Sequence, residues 1–205
     1  MGTNSIHLIK LSSSIVATGI AVVAYLPYLR DMFRGKCKPH LYTWISFFLV
    51  TVTVAIIQII GGAGLGAVPT VIGAAINGVI LFYCFRFGTK DIVFLDKVCL
   101  AISMVGLASF ALLHDEPVIS LALVTVAEIT SFIPTFRKTK NDPYSESLPS
   151  YYLSLVKLAL ILIALEHYNI LTVSYSVLWI GVFMVYLGMT YRWRALQPIL
   201  GKEKA

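Results

Sequence analysis

Charged side chains are scarce in this sequence. Only 13% of its 205 residues are Asp, Glu, Lys or Arg, whereas 58% are hydrophobic. A soluble domain carries roughly a quarter charged residues and about half apolar ones, so this chain has too little polar surface to face water all round. Its mean hydropathy of +0.84 calls for lipid as the surrounding solvent. Cysteine is sparse as well. Cys37, Cys84 and Cys99 are odd in number and lack metal-like spacing, so no metal site is expected. All three fall on the half that the charge distribution makes cytoplasmic, so reduced thiols are expected. There is no P-loop, no nucleophile motif and no clustered His/Cys set, which gives no ground for an enzyme or for a cofactor.

Long apolar runs are what the chain does have. They cover 12–29, 41–60, 67–86, 92–113, 118–136, 149–165 and 172–191. A helix rises about 1.5 Å per residue and needs about 20 residues to cross a hydrocarbon core near 30 Å thick. Barrel strands would be about half as long and would alternate polar with apolar residues. The expected fold is therefore an all-α membrane protein with seven transmembrane helices. Gly61, Gly62, Gly64 and Gly66 mark a very short turn between the second and third spans. The first span is preceded only by Lys10 and is followed by no small-x-small cleavage pattern, so it reads as a structural helix rather than a signal peptide.

Basic residues are partitioned by side. Arg30, Arg34, Lys36 and Lys38 form one group, Arg86, Lys90 and Lys97 a second, and Arg137, Lys138 and Lys140 a third; Arg192, Arg194, Lys202 and Lys204 follow in the tail. These alternate connections hold fourteen of the sixteen basic residues, and the connections at 61–66, 114–117 and 166–169 hold none. The positive-inside rule makes the basic side cytoplasmic, with the amino terminus outside and the carboxyl terminus inside. The net charge of +6 is thereby assigned to topology and anionic lipid, with the bilayer as partner and no nucleic acid.

An internal repeat runs through the chain. A shift of 107 residues lays Leu26-Pro27-Tyr28-Leu29-Arg30 on Ile133-Pro134-Thr135-Phe136-Arg137, and Trp44 on Tyr151. Tyr83-Cys84-Phe85-Arg86 and Tyr191-Arg192-Trp193-Arg194 end the third and seventh spans alike. The reading is two parallel three-helix repeats joined by a linker helix (3+1+3). Residues 1–91 form the first triplet, 92–116 the linker and 117–205 the second triplet. The linker returns the chain to its starting side, which makes the repeats parallel.

This layout, with a proline near the inner end of spans one and five, resembles the SWEET and PQ-loop superfamily over about residues 12–191. The family's Pro-Gln pair stands here as Pro27-Tyr28 and Pro134-Thr135, and the prolines inside its second and sixth helices are missing, since Pro39 and Pro149 precede those helices. The resemblance implies a transporter of a small polar solute, sugar-like or another metabolite, working by alternating access. It also implies that an asparagine on the third helix touches substrate, and Asn77 is the candidate. A non-transporting receptor or scaffold on the same fold is the alternative, and homo-oligomerisation is left open.

Polar residues at membrane depth are costly and face protein or water. Ser14, Thr18, Ala21, Tyr25 and Tyr28 share one helical face, and the repeat shift carries it to Leu121, Thr125, Glu128, Phe132 and Thr135. Glu128 and Lys157 each lie about eight residues from the inner ends of their spans, equal in depth and opposite in sign, which makes an ion pair the expectation. The pair is read either as functional, with Glu128 binding substrate or a proton and Lys157 tuning its acidity, or as self-neutralising architecture. Gly66, Thr70, Gly73 and Asn77 form a small-residue face, expected to let the third helix wedge between its neighbours. Trp179 and Tyr186 share a face that lines the pocket or, for Trp179, meets lipid. Gln58 is expected to satisfy a turn. Pro27 and Pro134 are read either as static kinks or as hinges that let each triplet rock.

Overall fold

The structure, a computed structural model, describes residues 2–34, 41–87, 94–112, 116–141, 143 and 148–197. Among them are seven α-helices: α1 (Gly2–Phe33), α2 (Leu41–Ile60), α3 (Val68–Phe87), α4 (Phe94–Leu112), α5 (Pro117–Asn141), α6 (Leu148–Ala164) and α7 (Ile170–Leu196). One 3-10 turn, Gly64–Ala67, leads into α3. Several ends fall within two residues of the apolar runs. However, α1 begins ten residues earlier than expected, and α5 and α7 each continue five residues further. Hydropathy registers only the part of a helix that lipid covers, whereas backbone hydrogen bonding continues into the polar flanks. Lys36, Lys38, Lys90, Lys202, Lys204, Cys37, His114 and Asp115 lie outside the described residues, as do the side chains of Arg137, Lys138 and Cys99.

Three stretches are long and apolar enough to cross a membrane: Asn4–Arg30, Gly64–Arg86 and Ile170–Leu196. Trp44–Ile60, Val118–Thr130 and Tyr151–Ala164 are apolar but shorter. Large apolar side chains face outward along these helices, among them Val23, Phe82 and Met184. That arrangement suits lipid and not water.

The packing is simple to state. α3 lies against both α1 and α2, and α7 lies against both α5 and α6. α1 runs along α6, α2 packs on α5 and touches α7, and α4 packs on α2 and α5. All described members of the two polar stripes are buried or half-buried: Ser14, Thr18, Ala21, Tyr25 and Tyr28 on α1, and Leu121, Thr125, Glu128 and Phe132 on α5. Their flanks, such as Ile15, Val16 and Val126, are exposed. Pro27 and Pro134 lie within continuous helix, and their side chains are outside the described set.

The small-residue face of α3 meets expectation in part. α3 lies between α1 and α2, and Gly66 of that face is closely approached by Leu165. A Cβ on Gly73 would meet nothing within 4 Å, and the other close approach is at Gly78, against Phe48, which the expected face did not include.

At one end of the molecule the α2–α3 and α6–α7 turns lock together. Asn169 caps α7 by accepting from the backbone N–H of Leu171 and Thr172, while its Nδ2 donates to the Gly61 carbonyl at 2.6 Å. The Glu166 backbone N–H donates to the Ala63 carbonyl at 3.1 Å, and the Leu65 N–H donates to Glu166 Oε1 at 3.4 Å. The Ser14 hydroxyl of α1 donates to the Leu65 carbonyl at 2.7 Å. Gly62 and Gly64 adopt φ of +79° and +56°, a region that glycine enters without steric cost. Exposed Arg30, Arg34, Arg86, Lys140 and Arg192 lie at the opposite helix ends.

Candidate functional site

A cavity of about 430 Å³ opens in the middle of the helices. Its walls come from α1, α2, α3, α5, α6 and α7, with no described residue of α4 among them. Asn77, Glu128, Lys157, Trp179 and Tyr25 all line it. Tyr186 does not. It is fully buried behind the wall, shares a hydrogen bond with Thr139 at 2.7 Å, and packs on Phe132, Phe136 and Tyr151. Its contribution is to hold those wall rings in place.

Glu128 and Lys157 do not close the expected ion pair, since no N···O contact within 4.0 Å joins them. The reason lies in the packing order. α7 sits between α5 and α6, so membership of one triplet does not bring these two helices face to face. Glu128 accepts instead from the indole N–H of Trp179 on α7 at 2.7 Å. Lys157 reaches the other side of the cavity and also borders a smaller void of about 130 Å³, lined by Ala21, Ala24 and Tyr25 of α1. The two charges remain electrostatic neighbours across the cavity without contact. Among the described residues Lys157 has no hydrogen-bond partner. The alternative of a lipid-facing Trp179 is thus set aside by its bond to Glu128.

Asn77 is buried and donates from Nδ2 to Thr51 Oγ1 at 3.0 Å, and Thr51 passes its own proton to the Phe47 carbonyl at 2.6 Å. That chain fixes the amide orientation. Its Oδ1 has no partner in hydrogen-bonding geometry, and the Tyr25 side chain lies beside the amide.

Aromatic rings make up much of the remaining wall. Phe132 meets Trp179 edge-on at 5.5 Å and Tyr151 at 6.3 Å, and Tyr151 meets Phe183 at 5.6 Å. On the other side Tyr25 and Phe47 pack on Trp44, whose indole N–H donates to the Tyr28 hydroxyl at 3.0 Å. Sequence reasoning missed Tyr175 and Thr51 as lining residues. The spacing of Tyr175, Trp179 and Phe183, four apart along α7, was the available signal.

Gln58 departs from its expected role. Its backbone carbonyl accepts from Ala63 N–H at 2.9 Å, but its fully buried side-chain amide has no partner. Ser120 and Ser176 hydroxyls are likewise buried and unpaired. All three lie toward the glycine-turn ends of α2, α5 and α7, helices that pack together. Compared with protein-family models, with curated proteins and with solved structures, the chain matches none of them.

Proposed function

We propose that this chain is a multi-pass membrane carrier for a small polar solute, with parallel triplets at 1–91 and 117–205 and a linker at 92–116, as in the SWEET and PQ-loop architecture. The amino terminus and the glycine turns are outside, and the basic ends and tail are cytoplasmic. One observation carries the reading: a single cavity, walled by helices of both triplets, holds two unlike charges that do not neutralise each other by contact. Charges at membrane depth are expensive and are retained where they face a solute path. A volume of about 430 Å³ suits a monosaccharide-sized or amino-acid-sized solute.

Two further observations support it. Exchanging α1 with α5, α2 with α6 and α3 with α7 turns α1·α3 into α5·α7, α2·α3 into α6·α7 and α1·α6 into α2·α5, so the main contacts map onto themselves. A two-fold pseudo-axis relating the triplets would produce this pairing, which supports the repeat reading with α4 outside the exchange. In addition, the glycine-turn end is tied shut between the triplets by Asn169 and Glu166, as one state of an alternating-access cycle requires. The unpaired Gln58, Ser120 and Ser176 beneath that end gain water or solute partners when it opens. Pro27 and Pro134 supply the hinges.

The test is uptake into proteoliposomes from a panel of labelled sugars, amino acids and other small metabolites. Saturable flux of at least one, lost in Glu128→Gln, supports the carrier. A folded protein that binds a panel member without moving it is instead a receptor.

A further inference from the structure

We infer that the cavity is built for a zwitterion, a small solute carrying an ammonium and a carboxylate on one skeleton. The ammonium goes to Glu128 and the carboxylate to Lys157. This deepens the carrier reading and rests on the same cavity.

The geometry argues for two-point recognition. Glu128 and Lys157 lie on one cavity but on different helices, with α7 between those helices. Glu128 is oriented by the Trp179 indole on Oε2, and no partner among the described residues takes its other oxygen. Lys157 has no hydrogen bond among the described residues. Buried charges without a contacting counter-ion are unfavourable, so each side chain gains from a counter-charge supplied by whatever fills the cavity. A neutral sugar offers hydroxyls but no countercharge. A simple amine or a simple acid satisfies one side and leaves the other bare. A zwitterion answers both and leaves the filled site neutral.

The rest of the wall fits this assignment. Phe132 and Trp179 line the cavity together with Glu128, and aromatic rings are compatible with an ammonium group. Asn77 Oδ1, unpaired and buried, adds a polar acceptor on the same cavity. Tyr151, Phe183 and Tyr175 offer an apolar and aromatic surface for the solute's remaining body. The first half has Ala21 and Val50 where the repeat shift would put these charges, so the site reads a polar direction across the pseudo-axis.

The experiment is calorimetric binding to the full-length protein in detergent. The probes are L-phenylalanine, phenethylamine, which lacks the carboxylate, and 3-phenylpropionate, which lacks the ammonium. The remaining amino acids and glucose are run alongside. L-Phenylalanine, or another amino acid of the panel, is expected to bind at least tenfold more tightly than its one-charge analogues. Glu128→Gln should weaken the amino acid and the amine while sparing the acid, and Lys157→Met should weaken the amino acid and the acid while sparing the amine. Equal affinity for all three probes, or no amino-acid binding by helical, monodisperse wild-type protein, overturns the inference whether or not the variants fold. Glucose flux without amino-acid binding removes the zwitterion and keeps the carrier. Amino-acid binding without flux does the reverse.

Discussion

Trp179 of α7 donates its indole N–H to Glu128 of α5 at 2.7 Å, and this bond takes the place of the ion pair that the sequence suggested between Glu128 and Lys157. Trp179→Phe keeps the ring and removes the donor. It is expected to lower stability by about 1–3 kcal/mol, the cost of leaving a buried acceptor unsatisfied, read as a fall in melting temperature in detergent. An unchanged melting temperature would mean the bond contributes nothing.

Gly64 and Gly73 make a paired test of the packing. Gly64 has φ of +56°, and a Cβ there would fall on the Glu166 carboxylate, whereas Gly73 has open space around it in a regular helix. Gly64→Ala should destabilise by about 1–2 kcal/mol or more. Gly73→Ala should be neutral or stabilise by up to about 1 kcal/mol. Equal effects in a thermal-shift assay would contradict the described turn.

The sidedness prediction rests on the partition of basic residues. With Cys37, Cys84 and Cys99 replaced, Tyr168→Cys should react with an impermeant thiol reagent from outside only, and Lys140→Cys from inside only. Both positions are exposed, so lack of access is not an expected confounder. Reaction of both from the same side would refute the topology.

Much of this was legible in the sequence, and the reasons are physical. Lipid imposes long apolar runs, so α2 was located to the residue and α3, α4 and α6 to within two residues at each end. The polar stripes on α1 and α5 were readable because burial follows the 3.6-residue period. What was not legible was packing order. Equal depth suggested contact between Glu128 and Lys157, but depth says nothing of α7 lying between α5 and α6. Tyr186 was grouped with Trp179 by spacing, and both rings do meet Phe132, but seven residues carry Tyr186 about 10 Å further along the helix, level with Phe136 and Thr139 behind the wall. Gln58 was assigned to a turn from its position alone, yet only its backbone serves that turn.

The charge pair gives a double-mutant prediction. Glu128→Gln alone should abolish flux or its pH dependence while the protein stays folded. Glu128→Gln with Lys157→Met should restore any lost stability, because neither charge is then left alone, and should remain inactive. Wild-type flux in a well-folded double mutant would reduce the two residues to membrane architecture.

The central claim is that the cavity opens alternately to the two sides, and the glycine-turn end can be locked to test it. A Cβ on Gly62 would lie 3.6 Å from the His167 Cβ, inside the range that a disulfide spans, at a φ of +79° that costs a cysteine about 1–2 kcal/mol. In a chain freed of its native cysteines, Gly62→Cys with His167→Cys should cross-link on oxidation. Flux into proteoliposomes should then stop and return on reduction. Undiminished flux in the fully cross-linked protein would contradict the account, because it would mean that this end never has to open.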